Sequence, residues 1–88
     1  MNVQQQVRSF VEQNFYVGEG NPVADDTSLI RTGVVDSTGV LEIIAFLEAE
    51  FGIEIEDRDA VPANLESIAR IAAFVARKLE AARGREVA

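Results

Sequence analysis

The chain has 88 residues, of which 48% are hydrophobic, and a formal net charge of −7. This length predicts a single domain with one small core and no room for a second domain. Cysteine and histidine are absent, which excludes disulfides, thiolate or imidazole metal sites, and catalysis by Ser-His or Cys-His pairs.

The hydrophobic residues and the charges are arranged as in a soluble protein. No apolar run approaches the ~20 residues that a membrane-spanning helix needs, and no secretory signal pattern opens the chain, so we expect a cytoplasmic protein without membrane insertion. Residues 36–59 hold eight of the fifteen acidic residues and a single base. Such a segment repels nucleic acid and attracts basic protein surfaces, although solubility alone also explains it.

Helical spacing of apolar residues predicts a first helix over about residues 2–17, ending before Gly18. Its buried face would comprise Val3, Val7, Phe10, Val11 and Phe15. The segment 18–36 is rich in Gly, Asp and Ser and predicts a loop whose length is uncommon in a compact domain and often functional. Four apolar residues would attach this loop to the core: Leu29, Ile30, Val34 and Val35.

A second helix is predicted from Ser37 to about Phe51, where Gly52 ends it. On a helical wheel its apolar residues form an arc that we expect to be core: Val40, Ile44, Leu47 and Phe51, flanked by Leu41 and Ile43. The opposite stripe would face solvent: Thr38, Glu42, Ala45 and Ala49.

The last third of the chain predicts two more helices. Asp57 would cap a short third helix that ends at Pro62, and Asn64 or Ser67 would cap the last helix. The last helix would bury Ile68, Ile71, Ala72, Val75 and Leu79. The predicted fold class is all-α: a four-helix bundle with a long first loop, a core over about residues 2–83 and a disordered C-terminal tail.

The stretch GVVDSTGVLE, residues 33–42, places a serine at the head of the second helix. If Asp36 caps this helix, the Ser37 hydroxyl remains free in the first turn. A phosphoryl group attached there would lie at the positive end of the helix dipole. From Asp-Ser alone, an ordinary helix start is the simpler interpretation.

The longer string GVVDSTGVLEIIAFLEAEFGIEI, within the order helix, long loop, helix, short helix and last helix, resembles the acyl carrier protein and peptidyl carrier protein family. In that family Gly-x-x-Asp-Ser precedes a long second helix. The resemblance covers roughly residues 29–79. It implies a carrier rather than an enzyme, with 4'-phosphopantetheine attached covalently to Ser37, beside Asp36, and acyl or aminoacyl cargo held as a thioester. The arm brings its own thiol, so such a protein needs no cysteine.

The resemblance also implies partners: a phosphopantetheinyl transferase, a ligase that loads the acyl or aminoacyl group, and biosynthetic enzymes with basic docking surfaces. They would bind the second helix through Thr38, Glu42, Ala45 and Glu48. The family most often has Leu or Met where Thr38 stands, and many fatty-acid carriers have an acid where Gly39 stands. We therefore expect a carrier from a specialised pathway rather than the housekeeping fatty-acid carrier. Nothing in the sequence indicates oligomerisation, so we expect a monomer.

Two other functions stay open. The first is an acidic helical interaction module that carries no prosthetic group and binds through residues 36–59. The second is an enzyme that uses the carboxylate pair Asp25 and Asp26 or the pair Asp57 and Asp59. We disfavour the enzyme because both pairs lie in turn-like, solvated segments where nothing would shift a pKa.

A carrier's bundle interior would supply the fold and could also part to shelter an apolar cargo. The residues expected to line it are Phe10, Phe15, Ile44, Leu47, Phe51, Ile71 and Val75. For short or polar cargo a tightly packed core without a cavity is the favoured alternative.

Overall fold

The computed structural model describes residues 2–15 and 23–87, with side chains described up to residue 82. Within these ranges the chain forms four α-helices and one 3-10 turn: α1 Val3–Asn14, α2 Ser37–Phe51, the 3-10 turn Asp57–Asp59, α3 Pro62–Leu65 and α4 Ile68–Val87. Helix α4 contacts α1, α2 and α3. The predicted all-α four-helix fold is confirmed, and the backbone is helical to Val87, beyond the predicted core boundary at residue 83.

Helix α1 begins with a reciprocal cap. Asn2 Oδ1 accepts from the Gln5 N–H at 2.8 Å, and Gln5 Oε1 accepts from the Asn2 N–H at 3.2 Å, so two backbone donors are satisfied. The helix ends at Asn14, and the prediction that it continues through residue 15 is wrong because Phe15 has an extended backbone. The predicted stop at Gly18 lies outside the described residues.

Helix α2 has the predicted bounds, but its buried face is rotated from the predicted one. Gly52 ends the helix with φ +65°, a left-handed conformation that glycine adopts without strain. Gly39, Ile43 and Leu47 are buried, whereas Leu41 is 67% exposed, so its placement at the edge of the core is wrong. Gly39 belongs to the buried face although it has no side chain, so the apolar pattern did not predict its burial.

The segment between α2 and α4 differs from its prediction. The 3-10 turn is capped by Glu56 rather than Asp57, and Pro62 begins α3 instead of ending a helix. Proline suits the first helical position because its missing N–H would have no partner there. Of the two predicted caps for α4, Ser67 is correct, since its Oγ accepts from the Arg70 N–H at 3.2 Å. Asn64 instead donates to the Asp59 carbonyl at 2.9 Å.

The described part of the first loop, residues 23–36, contains turns and is bonded to the region where α3 ends and α4 begins. The Asp25 carbonyl accepts from the Ala69 N–H at 2.9 Å, and the Leu29 N–H donates to the Glu66 carbonyl at 2.8 Å. These bonds satisfy backbone groups in and beside the first turn of α4. Leu29 is fully buried as predicted, but Ile30 is 48% exposed and does not attach the loop to the core.

The core combines residues from all four α-helices and the loops. Its buried members are Val7, Val11, Val23, Leu29, Val35, Ile43, Leu47, Ile53, Leu65, Ile68, Ile71, Phe74 and Val75. Of the predicted interior, Leu47, Ile71 and Val75 are fully buried, whereas the predicted Phe10, Phe15, Ile44 and Phe51 pack against this cluster while partly buried. The sheltering of cargo by this interior stays a prediction.

An ion pair joins the 3-10 turn to α4. Lys78 Nζ lies 2.8 Å from Asp59 Oδ2, which also accepts from the Glu56 N–H at 3.0 Å. The hydrogen bond from Lys78 and that from the Glu56 backbone hold the pKa of Asp59 below its ordinary value of 3.8. The ionised form of Asp59 therefore stabilises this corner of the fold.

We expect Asp59→Asn to lower the melting temperature at neutral pH and to lower it less in acid. Because the folded-state pKa of Asp59 is depressed, its contribution is present above pH ~4 and is lost as the pH falls through the lowered pKa. Thermal unfolding of wild type and variant, followed by circular dichroism across this pH range, measures the difference. A difference that is constant with pH would contradict the assignment.

Candidate functional site

The site begins with the cap of α2. Asp36 Oδ1 accepts from the Gly39 N–H at 2.8 Å, and the Asp36 carbonyl accepts from the Val40 N–H at 3.0 Å. Ser37 is exposed at the first position of the helix. Within the described residues its hydroxyl has no hydrogen-bond partner. The cap therefore leaves the Ser37 hydroxyl accessible to solvent, next to helix N–H groups that have no intrahelical acceptor.

Gly39 packs on the buried side of this turn, against Phe15 and Val35. A Cβ at Gly39 would lie 2.7 Å from Phe15 Cε1 and 2.9 Å from Val35 Cγ1. Phe15 reaches this position because the chain leaves the helical conformation after Asn14. Many fatty-acid carriers of the resembled family have an acid where Gly39 stands, but the structure places Gly39 in the contact between the end of α1, the loop and the first turn of α2.

We expect Gly39→Ala to destabilise the protein by ~1–3 kcal/mol through overpacking, although alanine is the better helix former by up to ~1 kcal/mol. Val35 is buried and stiff at its branched Cβ, so only the Phe15 ring can move away. In a double-mutant cycle with Phe15→Leu, the shorter side chain should reduce the cost of Gly39→Ala. Urea unfolding of the four proteins measures this coupling.

Thr38→Ala, at an exposed neighbouring position, is the control and should change stability by less than ~0.5 kcal/mol. Equal costs for Gly39→Ala with Phe15 and with leucine at residue 15 would contradict the packing explanation.

The predicted docking stripe is on the surface. Thr38, Glu42 and Ala45 are exposed, and Ala49 continues the same face. Glu48, predicted to bind partners, is half-buried, and its Oε2 accepts from the Ile55 N–H at 3.0 Å. That bond ties the end of α2 to the following segment, so Glu48 has a structural role that the sequence pattern did not reveal.

An apolar cleft opens beside α2. It has a volume of about 170 Å³ and is lined by Ile30, Val40, Ala60, Val61, Pro62, Leu65 and Glu66. Val40 is three residues beyond Ser37, so the cleft lies on the side of α2 adjacent to the serine. The sequence predicted Val40 and Ile30 as core residues and so did not indicate a cleft between the loop, α2 and α3.

One member of each carboxylate pair considered for catalysis makes structural contacts. Asp25 accepts hydrogen bonds from Gln4 and Arg8, and these bonds lower its pKa. The pKa of Asp59 is lowered by its bonds to Lys78 and to the Glu56 N–H. The expectation that nothing shifts a pKa in these pairs is therefore wrong for Asp25 and Asp59, whose pKa values are both lowered. A lowered pKa keeps a carboxylate ionised at neutral pH and does not suit a general acid.

Residues 5–75, most of the chain, match a family model described as the phosphopantetheine attachment site. The chain belongs to this family. Members carry 4'-phosphopantetheine covalently on a serine, and they are carriers that phosphopantetheinyl transferases modify rather than enzymes. An exposed serine hydroxyl at a helix N-terminus fits this group, which would supply a terminal thiol when attached. Among the described residues, no helix is long and apolar enough to cross a membrane.

Proposed function

We propose that this protein carries acyl or aminoacyl cargo as a thioester on a phosphopantetheine arm attached to Ser37. The matched range 5–75 contains four serines, which are Ser9, Ser28, Ser37 and Ser67. The observation that carries the assignment is that Ser37 is the exposed member of this set at the head of a capped helix.

The other three serines are engaged or less accessible. Ser67 is only 3% exposed and caps α4. Ser28 Oγ accepts from the Arg31 N–H at 3.2 Å within a turn, and Ser9 is half-buried inside α1. A transferase active site would have to disturb local structure at each of these positions, which it would not at Ser37.

The local backbone also favours a phosphodiester on Ser37. The first N–H groups of α2 have no intrahelical acceptor, and the helix dipole places partial positive charge at this end. Asp36 occupies the Gly39 N–H and carries its own negative charge, so the cap fixes the turn but does not attract the phosphate. The chain's contribution is to present the Ser37 hydroxyl on a rigid turn.

Mapping of the adduct tests this function. The apo form of the 88-residue chain is incubated with coenzyme A and a broad-specificity phosphopantetheinyl transferase, and the modified residue is located by peptide mass spectrometry. We expect a mass increase of one phosphopantetheine, on Ser37. An adduct on another serine would refute the site, and no adduct with several transferases would favour the acidic interaction module instead.

We further propose that the pathway is a specialised one. Thr38 and Ala45 are exposed and small, whereas many carriers have larger apolar side chains there that partner enzymes receive. Large buried side chains dominate most interfaces, so their loss weakens binding to enzymes shaped for them. Glu42 is also exposed and would still attract a basic partner surface.

We expect the holo protein to be a poor substrate for a generic malonyl transferase or ketosynthase of fatty-acid synthesis. The double substitution Thr38→Leu with Ala45→Met should raise turnover, because it restores two apolar anchors to the exposed face of α2. Turnover of holo wild type and holo variant measures this effect. Efficient use of the wild type, or no gain in the variant, would show that these positions do not select partners.

A further inference from the structure

A groove lies at the end of α2 that is farthest from Ser37. It has a volume of about 500 Å³ and is formed by the start of α1, the end of α2 and the middle of α4. Ile53 is buried in it, whereas Ala76 and Ala82 are exposed, so the groove is open to solvent. Apart from Gly52 and Glu80, the residues that line it are apolar: Val3, Phe51, Ile53, Ala76, Leu79 and Ala82.

Acidic residues surround this groove. Glu80 lines it, and Glu50 and Glu54 lie on either side of the end of α2. All three are exposed, and none makes an ion pair with a described side chain. Glu50 accepts a hydrogen bond at 3.2 Å from Gln6, which is neutral and leaves the charge of the carboxylate uncompensated.

The bases near the groove are engaged elsewhere. A neighbouring pocket, which shares three residues with the groove, contains Arg58 and Lys78. Arg58 Nε lies 2.6 Å from Glu56 Oε2, and Lys78 Nζ lies 2.8 Å from Asp59 Oδ2. Arg77 donates to a side chain of α3 at 2.8 Å. The charge that the described residues present at the groove is therefore negative.

We infer that this groove binds a basic amphipathic helix of a partner protein. Its apolar side chains would fill the groove, and its lysine or arginine residues would lie opposite the three glutamates. Charge complementarity selects this occupant. A second copy of the chain has a net charge of −7 and would be repelled, as would nucleic acid and anionic lipid surfaces.

A helix bound in the groove would leave Ser37 accessible. Ser37 and Phe51 are the first and last residues of α2, so they lie about 21 Å apart along the helix axis. A partner helix that crosses the end of α2 does not reach the first turn. The partner would then hold the protein while Ser37 and its arm serve other enzymes. That consequence rests on the proposed function, whereas binding at the groove does not.

The test titrates the apo form of the 88-residue chain with a synthetic helical peptide. Leucines at positions i, i+3, i+4 and i+7 give the peptide an apolar stripe, and lysines flank this stripe. We expect the amide chemical shifts of Val3, Phe51, Ile53 and Leu79 to change, and those of the first turn of α2 to stay constant. A peptide of the same composition without the leucine spacing should bind at least about tenfold more weakly.

Three variants locate the contact. Ala76→Arg would fill the groove and repel the lysines, so the Kd for the peptide should rise at least about tenfold. Ala73→Arg adds the same charge at an exposed position of α4 outside the groove and should change the Kd less than about twofold. Glu80→Gln keeps the shape of the side chain and should weaken binding at low salt but less at high salt.

Equal losses of affinity in Ala76→Arg and Ala73→Arg would overturn the inference, because they would show unspecific attraction to the acidic surface. Shifts confined to the exposed stripe of α2, or no shift at about 1 mM peptide, would overturn it as well. Self-association of the chain that Ala76→Arg abolishes in sedimentation would assign the groove to a second copy and refute the proposed partner. None of these outcomes changes the adduct on Ser37, which the transferase experiment tests separately.

Discussion

Replacing Ser37 by alanine is expected to abolish loading by phosphopantetheinyl transferase while the protein stays folded. The substitution removes the only oxygen to which the arm would be attached, so the adduct should be lost completely rather than reduced. Asp36 forms the cap of α2, and alanine is a good helix former at residue 37, so stability should change by less than ~0.5 kcal/mol. Intact mass after incubation with coenzyme A measures the loss.

Ser28→Ala is the matched control for this experiment. It removes a serine hydroxyl in the turn before α2, where Oγ accepts one backbone hydrogen bond. We expect its loading to equal that of the wild type. If Ser37→Ala still carries an adduct on another serine, the arm is attached to that serine instead of Ser37.

The second large effect is expected in the core. Leu47→Ala should destabilise the protein by ~2–5 kcal/mol, because Leu47 is fully buried and the truncation leaves a cavity. A small domain has a total stability of only about 5–15 kcal/mol, so this variant should be close to unfolding under mild conditions. Urea unfolding followed by circular dichroism measures the free energy.

Leu41→Ala gives a control with the same chemistry on the same helix. Leu41 is 67% exposed and its removal leaves no cavity, so stability should change by less than ~0.5 kcal/mol. Similar losses in both variants would mean that the helix face is not oriented as described.

Local sequence signals predicted both ends of α2 and the position of Ser37 in its first turn. Aspartate side chains accept hydrogen bonds from helix N–H groups, and glycine tolerates a left-handed backbone. Asp36 and Gly52 therefore mark the two ends of α2 through short-range interactions. The family resemblance then indicated a phosphopantetheine carrier, and the family match confirms it. Neither inference required knowledge of which elements pack together.

The orientation of α2 needed the tertiary structure. Leu41 and Leu47 are the same residue type in one helix, and the predicted apolar arc included Leu47 and had Leu41 on its flank. Burial is decided by what packs against each face, and a contact with Phe15 and Val35 draws the Gly39 side inward. Glycine contributes no hydrophobic signal, so no periodicity could reveal this contact.

The sequence by itself determined the all-α class, the bounds of α2, the helix-capping position of Asp36 and the placement of Ser37 in the first turn. These depend on interactions between residues a few positions apart, which a linear pattern contains. Only the tertiary structure decided that Gly39 is a packing position, that Glu48 bonds the Ile55 backbone, and that Leu41, Ile30 and Val61 face solvent. Those properties depend on contacts between distant segments, and the free energy of such contacts is set by shape and burial rather than by local residue type.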